Sequence, residues 1–182
     1  CIRDSYRRGM VRFIEERTST IGIFFVKKSN NMLRMIMDTR IANCFFVDPG
    51  YTQLPTAGAW RHCYTPEDGT LSLAQVDVDN CFHRMRFDEW CGIPEYFALP
   101  PVTAGELGLQ EVAGKAVTPD TLVYPLVASL PMGWTWSLYL AQSANSRRMR
   151  EHPSLAGCAE LSDRGRAVVL PRVKGAHYTY VD

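Results

Sequence analysis

Six cysteines stand in the 182 residues (Cys1, Cys44, Cys63, Cys81, Cys91 and Cys158), but no C-x-x-C pair occurs among them. None is spaced with His62, His83, His152 or His177 as a zinc site would require. A disulfide scaffold does not suit a chain that is 46% hydrophobic, so the cysteines read as reduced and intracellular. Cys81 and Cys91 read as small buried apolar side chains. No signal peptide opens the chain, and the expected place is nuclear or cytoplasmic, not secreted. Residues 121–146 carry no charge and are long enough for a bilayer, but Pro125, Pro131, Gly133 and a run of Ser, Thr, Gln and Asn make them too broken and too polar. No membrane partner is expected. There is no internal repeat.

Net charge is nearly absent. Twenty Lys and Arg face nineteen Asp and Glu, a net charge of +1. The distribution is less even. Residues 1–40 and 121–182 are net basic, and residues 41–120 are net acidic. Basic ends around an acidic middle suit a protein that grips anions outside and cations at its centre, although clustered surface charge gives the same pattern.

Residues 5–17 read as an amphipathic helix, with Met10, Val11, Phe13 and Ile14 as its apolar stripe. Residues 21–28 and 32–38 read as a β-hairpin around Ser29-Asn30-Asn31, because Asn tolerates positive φ. Residues 48–70 read as loop, 71–79 as a strand and 80–87 as a short helix or turn. Residues 121–129 read as a buried strand. A helix is expected from Trp134 to His152, ending before Pro153. Residues 167–170 and 176–182 read as two more strands. Interleaved strands and helices place the chain among the α/β or α+β classes.

Three stretches carry candidate chemistry. Val76-Asp77-Val78-Asp79-Asn80-Cys81-Phe82 puts a carboxylate at a strand end, where a metal is readily held, or where Asp caps the next helix. Leu130-Pro131-Met132-Gly133-Trp134-Thr135-Trp136-Ser137 makes a sharp turn before a helix, where backbone approaches a ligand closely or where two tryptophans enter a core. Tyr178-Thr179-Tyr180-Val181-Asp182 reads as an alternating strand that ends in a carboxylate.

In this order the three resemble motifs A, B and C of the reverse transcriptases: D-x-x-x-[AC]-[FY], L-P-x-G-[WF]-x-x-S, and the first three letters of Y-x-D-D. Upstream, residues 25–43 resemble the family's fingers hairpin, with Lys27 before the turn, Arg34 after it, and then D-x-R-x-x-N at Asp38, Arg40 and Asn43. Four ordered motifs cover most of residues 21–182. The resemblance implies an α+β fold, a polymerase palm of antiparallel sheet backed by helices, with a β-hairpin fingers subdomain. It implies one reverse-transcriptase-like domain over 1–182, with fingers to about 70, palm over about 71–182, and a chain that stops within motif C before the thumb.

The implied activity is RNA-directed DNA synthesis by a retroelement enzyme, with an RNA or DNA template, a primer and dNTPs as partners. Two Mg²⁺ ions, or Mn²⁺, would stabilise the attacking and leaving oxygens of an in-line phosphoryl attack. By the resemblance, Asp77 and Asp182 are the catalytic carboxylates and metal ligands, and the Val78 carbonyl adds a ligand. Lys27 and Arg34 bind the triphosphate. Phe82 lies under the sugar, where its ring leaves no room for a 2′-hydroxyl. Met132 and Gly133 border the base and ribose, and Arg40 and Asn43 lie near the template. Trp134 reads equally as core, and Trp136 reads as core first.

The chain departs from the family's pattern at Leu138, where Pro is common, and at Trp136, where a small residue is common. Insertions are expected at about 102–120 and 152–172. The alternative is a decayed or domesticated polymerase-like domain that holds nucleic acid without catalysis.

Overall fold

The structure is a computed structural model and describes residues 2–27, 31–65, 67, 69–87, 91–170 and 172–181. The first elements are α1 (Ile2–Arg7), β1 (Val11–Ile14), β2 (Gly22–Lys27), β3 (Leu33–Asp38), α2 (Arg40–Asn43) and β4 (Cys63–Tyr64). There follow α3 (Cys81–Arg84), β5 (Val102–Thr103), α4 (Ala104–Leu107), β6 (Glu111–Val112), β7 (Lys115–Ala116) and β8 (Leu122–Val127). The chain closes with α5 (Thr135–Glu151), β9 (Cys158–Glu160), β10 (Val168–Val169) and β11 (Gly175–His177). The class is α+β. Among the described residues no helix is long and apolar enough to cross a membrane.

Two compact units share the chain. The first comprises Cys1–Asp48 and Asn80–Ser137, the second Pro49–Asp79 and Leu138–Asp182.

The first unit is built on a three-stranded sheet in the order β1-β8-β5, antiparallel throughout. Its core packs Val11, Phe13, Ala104, Val112 and Val123, with Ile2, Leu107 and Leu109 against them. A second apolar centre is aromatic. Phe46, Phe87, Phe97 and Trp134 meet with ring centroids 5.1–6.4 Å apart. The β2–β3 hairpin stands as its own two-stranded sheet, with Val26 opposite Arg34 and Lys27 opposite Leu33. Asn31 has φ +60°, a conformation Asn tolerates, and Ser29 and Asn30 of the expected turn lie outside the described residues. A capping box at Thr103 and Glu106 starts α4, and the hydrogen bonds from Thr103 hold the Glu106 carboxyl below its ordinary pKa.

The second unit pairs β4 with β10 and β9 with β11, each pair parallel. Its core is Ala59, Leu161 and Val168, with Trp60, Cys63, Leu170 and Tyr178 packed on them. Asp163 fastens one loop to another by accepting bonds from the Thr56 N–H at 3.0 Å and its hydroxyl at 2.8 Å.

The hairpin, the short helix after Asn80, the buried β8 strand and the long helix α5 lie where sequence periodicity puts them. Other expectations are corrected. Residues 5–17 do not form one helix. The helix ends at Arg7, Gly9 turns the chain at φ +66°, and Val11–Ile14 pairs with β8. The apolar residues at 11 and 13 satisfy a strand's alternation as well as a helical stripe, and pairing decides between them. Residues 71–78 take no regular structure and are exposed throughout, and of the strand expected over 176–182 only the start is strand, as part of Gly175–His177, while Tyr178–Val181 takes no regular structure. Cys81 and Cys91 are half-buried, not fully enclosed.

Candidate functional site

The first unit brings two of the sequence stretches into contact. Pro131–Gly133 turns the chain between β8 and α5, and it lies against the junction of β3 and α2. Gly133 adopts φ +109°, which L side chains rarely enter. A Cβ there would sit 3.0 Å from Thr39 Oγ1 and 3.2 Å from the Met37 carbonyl oxygen. Glycine is therefore required twice, by its φ and by the close approach.

Asn43, at the end of α2, holds this turn with both ends of its amide. Nδ2 donates to the Gly133 carbonyl at 3.1 Å, and Oδ1 accepts from the Thr135 N–H at 3.2 Å. The second bond satisfies one of the N–H groups that a helix start leaves without an intrahelical partner, so Asn43 caps α5 from more than ninety residues away in sequence. Within the turn, Ser137 Oγ donates to the Pro131 carbonyl at 2.7 Å. Trp134, 4% exposed, anchors the turn in the aromatic cluster. Trp136 is half-buried, with its indole N–H on the Val47 carbonyl at 2.7 Å. Met132 is left outward, 42% exposed.

Beside this turn, Arg40 closes on Asp38 with Nε–Oδ1 at 2.8 Å and Nη2–Oδ2 at 2.6 Å. The paired guanidinium lowers the Asp38 pKa to about 2, and the carboxylate in turn raises that of Arg40.

Lys27 and Arg34 are both exposed on the hairpin. Their register places them on opposite faces. Val26 pairs Arg34, whereas Lys27 pairs Leu33 one step along. Exposed Phe24 and Val26 share the Arg34 face, and exposed Phe25 and Leu33 share the Lys27 face. Phe82 is half-buried in α3, behind Asn80 at φ +53°.

Asp77 and Val78 belong to the second unit, both exposed in the stretch without regular structure. Asp182 lies outside the described residues. Among the described residues no group of three or more His, Cys, Asp or Glu side chains is placed to hold a metal. The oxygen donors at Asp77 and Val78 fit Mg²⁺ in kind.

Sequence reasoning passed over Thr39. It is 3% exposed and is the side chain nearest the missing Cβ of Gly133. A Thr between an Asp and an Arg gives no local sign of that contact. Compared with known proteins, the chain matches no family model, and no curated protein is significantly similar to it.

Proposed function

We propose that this chain is the fingers and palm part of an RNA-directed DNA polymerase of a retroelement, working inside the cell. The observation that supports the reading most is Asn43. Residues of the D-x-R-x-x-N stretch and of the L-P-x-G-W stretch, read separately in the sequence as parts of one polymerase, are joined through its amide at 3.1 and 3.2 Å. The hairpin adds exposed aromatic rings beside exposed cations, the pairing that suits nucleobases and phosphates.

In this reading Asp77, the Val78 carbonyl and Asp182 would hold Mg²⁺, which supplies charge stabilisation to the attacking and leaving oxygens. Lys27 and Arg34 stand on opposite faces of the hairpin, so one or the other would take the triphosphate directly. Phe82 would exclude a 2′-hydroxyl, and Met132 and Gly133 would border base and ribose. Arg40, exposed and paired with Asp38, would lie with Asn43 near the template.

The test is primer extension by the protein that contains these residues, on an RNA template with a DNA primer, dNTPs and Mg²⁺. Incorporation that stops on chelation supports the proposal. Binding of template–primer without incorporation at any Mg²⁺ or Mn²⁺ concentration overturns it in favour of a non-catalytic nucleic-acid-binding module.

A further inference from the structure

Two stretches far apart in sequence meet at the end of β8. The Ala128 N–H donates to the Met10 carbonyl at 2.9 Å, and the Ala128 carbonyl accepts from the Phe87 N–H at 3.0 Å. The Leu130 N–H donates to the Met85 carbonyl at 2.9 Å. Backbone pairing thus holds residues 8–10 and 85–87 against one strand end.

This junction carries arginines. Arg86 lays its guanidinium on the turn that follows α1. Nη2 donates to the Arg8 carbonyl at 2.7 Å, and Nη1 stands 2.8 Å from where a Cβ of Gly9 would be. Glycine at φ +66° makes that seat. Arg7 and Arg8 lead into the turn, and Arg3 lies four residues before Arg7, on the same face of α1. Arg3, Arg7, Arg8 and Arg86 are all exposed, and all belong to the first unit.

Among the described residues no carboxylate pairs with any of the four. Arg86 and Arg3 bond backbone carbonyls, those of Arg8 and Glu106, which orient a guanidinium without cancelling its charge. The Glu106 carboxylate is turned to Thr103, accepting from its N–H at 2.9 Å and its hydroxyl at 3.0 Å. Asp4, the one carboxylate on α1, joins no ion pair among the described residues. Like charges gathered in this way repel, and a bound polyanion relieves the repulsion.

The chemistry of the patch selects the polyanion. All four side chains are Arg, whose planar fork matches the paired oxygens of a phosphate. The apolar neighbours Ile2, Met10 and Met85 are half-buried, so they present little to a bilayer or to a protein partner. Tyr6 is exposed, but its ring rests on Phe13 with centroids 4.9 Å apart and is no platform for the bases of a single strand. We propose that α1, the Gly9 turn and Arg86 form a binding surface for the phosphodiester backbone of duplex nucleic acid. It needs no Mg²⁺, dNTP or Asp77, so it stands or falls independently of incorporation.

The test is fluorescence anisotropy of a labelled DNA duplex titrated with the whole protein in EDTA, across about 50–200 mM salt. Arg7→Gln combined with Arg8→Gln removes two exposed charges, and circular dichroism should stay that of the wild type. Affinity at low salt should fall ~10-fold or more, equally for duplexes of different sequence, and the slope of log affinity against log salt should shrink by ~2. Arg86→Gln keeps a donor for the Arg8 carbonyl and should shrink the slope by ~1. Arg147→Gln, an equal change of charge in the second unit, should leave affinity and slope as they are. The proposal is overturned if the wild type does not bind duplex, or if the double variant, folded as the wild type is, keeps its affinity and slope. It is also overturned if Arg147→Gln weakens binding as much as Arg86→Gln does. Displacement of the duplex by polyglutamate of equal charge, as effective as by unlabelled duplex, would overturn it in favour of an acidic protein partner.

Discussion

Replacing Gly133 by alanine probes the contact on which the candidate site is built. Two costs add. An L-residue held at φ +109° is strained by ~1–3 kcal/mol. The new methyl also meets Thr39 Oγ1 at 3.0 Å and the Met37 carbonyl at 3.2 Å. Thr39 can rotate away. The Met37 carbonyl belongs to β3, whose ladder to β2 resists displacement. Alanine recovers ~0.4–1 kcal/mol by restricting the unfolded chain. The net expectation is a loss of ~1–3 kcal/mol, seen as a lower urea midpoint at unchanged slope when unfolding is followed by tryptophan fluorescence. Adding Thr39→Ala removes only the 3.0 Å approach, so it should return less than ~1 kcal/mol. A Gly133→Ala protein as stable as the wild type would refute both the close approach and the strained φ. Full rescue by Thr39→Ala would refute the strain alone.

Asn43→Ala removes both amide bonds and should cost ~1–3 kcal/mol, because the Thr135 N–H and the Gly133 carbonyl each lose a partner; thermal unfolding reads this directly. Asn43→Asp keeps the acceptor for Thr135 and loses the donor to Gly133, so its loss should be smaller, and smaller still at a pH low enough to protonate the new carboxyl. Carboxyl NMR should find Asp38 ionised at pH 3, since its pKa of about 2 lies below the ordinary 3.8. Because the folded pKa is the depressed one, the pair's contribution is complete above pH ~4 and fades as pH falls toward 2, and Arg40→Gln should return the titration to ~3.9. In the polymerase reading, Phe82→Val should lower the ratio of dNTP to NTP incorporation with DNA synthesis retained. An unchanged ratio with lost stability would make Phe82 a packing residue.

How far the sequence reveals the fold depends on whether one signal decides an element. The β2–β3 hairpin is legible because Asn residues punctuate two apolar runs. Helix α5 is legible because Pro131 and Gly133 precede a run of helix formers and Pro153 closes it. At residues 10–14 two periods fit, and the strand wins only because β8 lies alongside, a long-range fact that no local window contains. At 71–78 the apolar Leu71, Leu73, Val76 and Val78 carry β propensity, but propensity without a partner strand makes no sheet, and all four are exposed. The candidate site divides in the same way. The need for glycine at 133 is readable from the Pro-x-Gly turn. That Asn43 caps α5, and that Thr39 closes on Gly133, depend on chain segments ninety residues apart.

The most direct measurement is single-turnover incorporation of one dNTP, with saturating Mg²⁺ and template–primer, by the protein that contains these residues and by its Asp77→Asn variant. A metal-held oxyanion in the transition state is worth several kcal/mol, so the variant should lose ~10³-fold in rate while still binding template–primer. Equal rates in the two proteins would contradict the assignment of Asp77 as a metal ligand. No incorporation by either protein would contradict the polymerase reading itself.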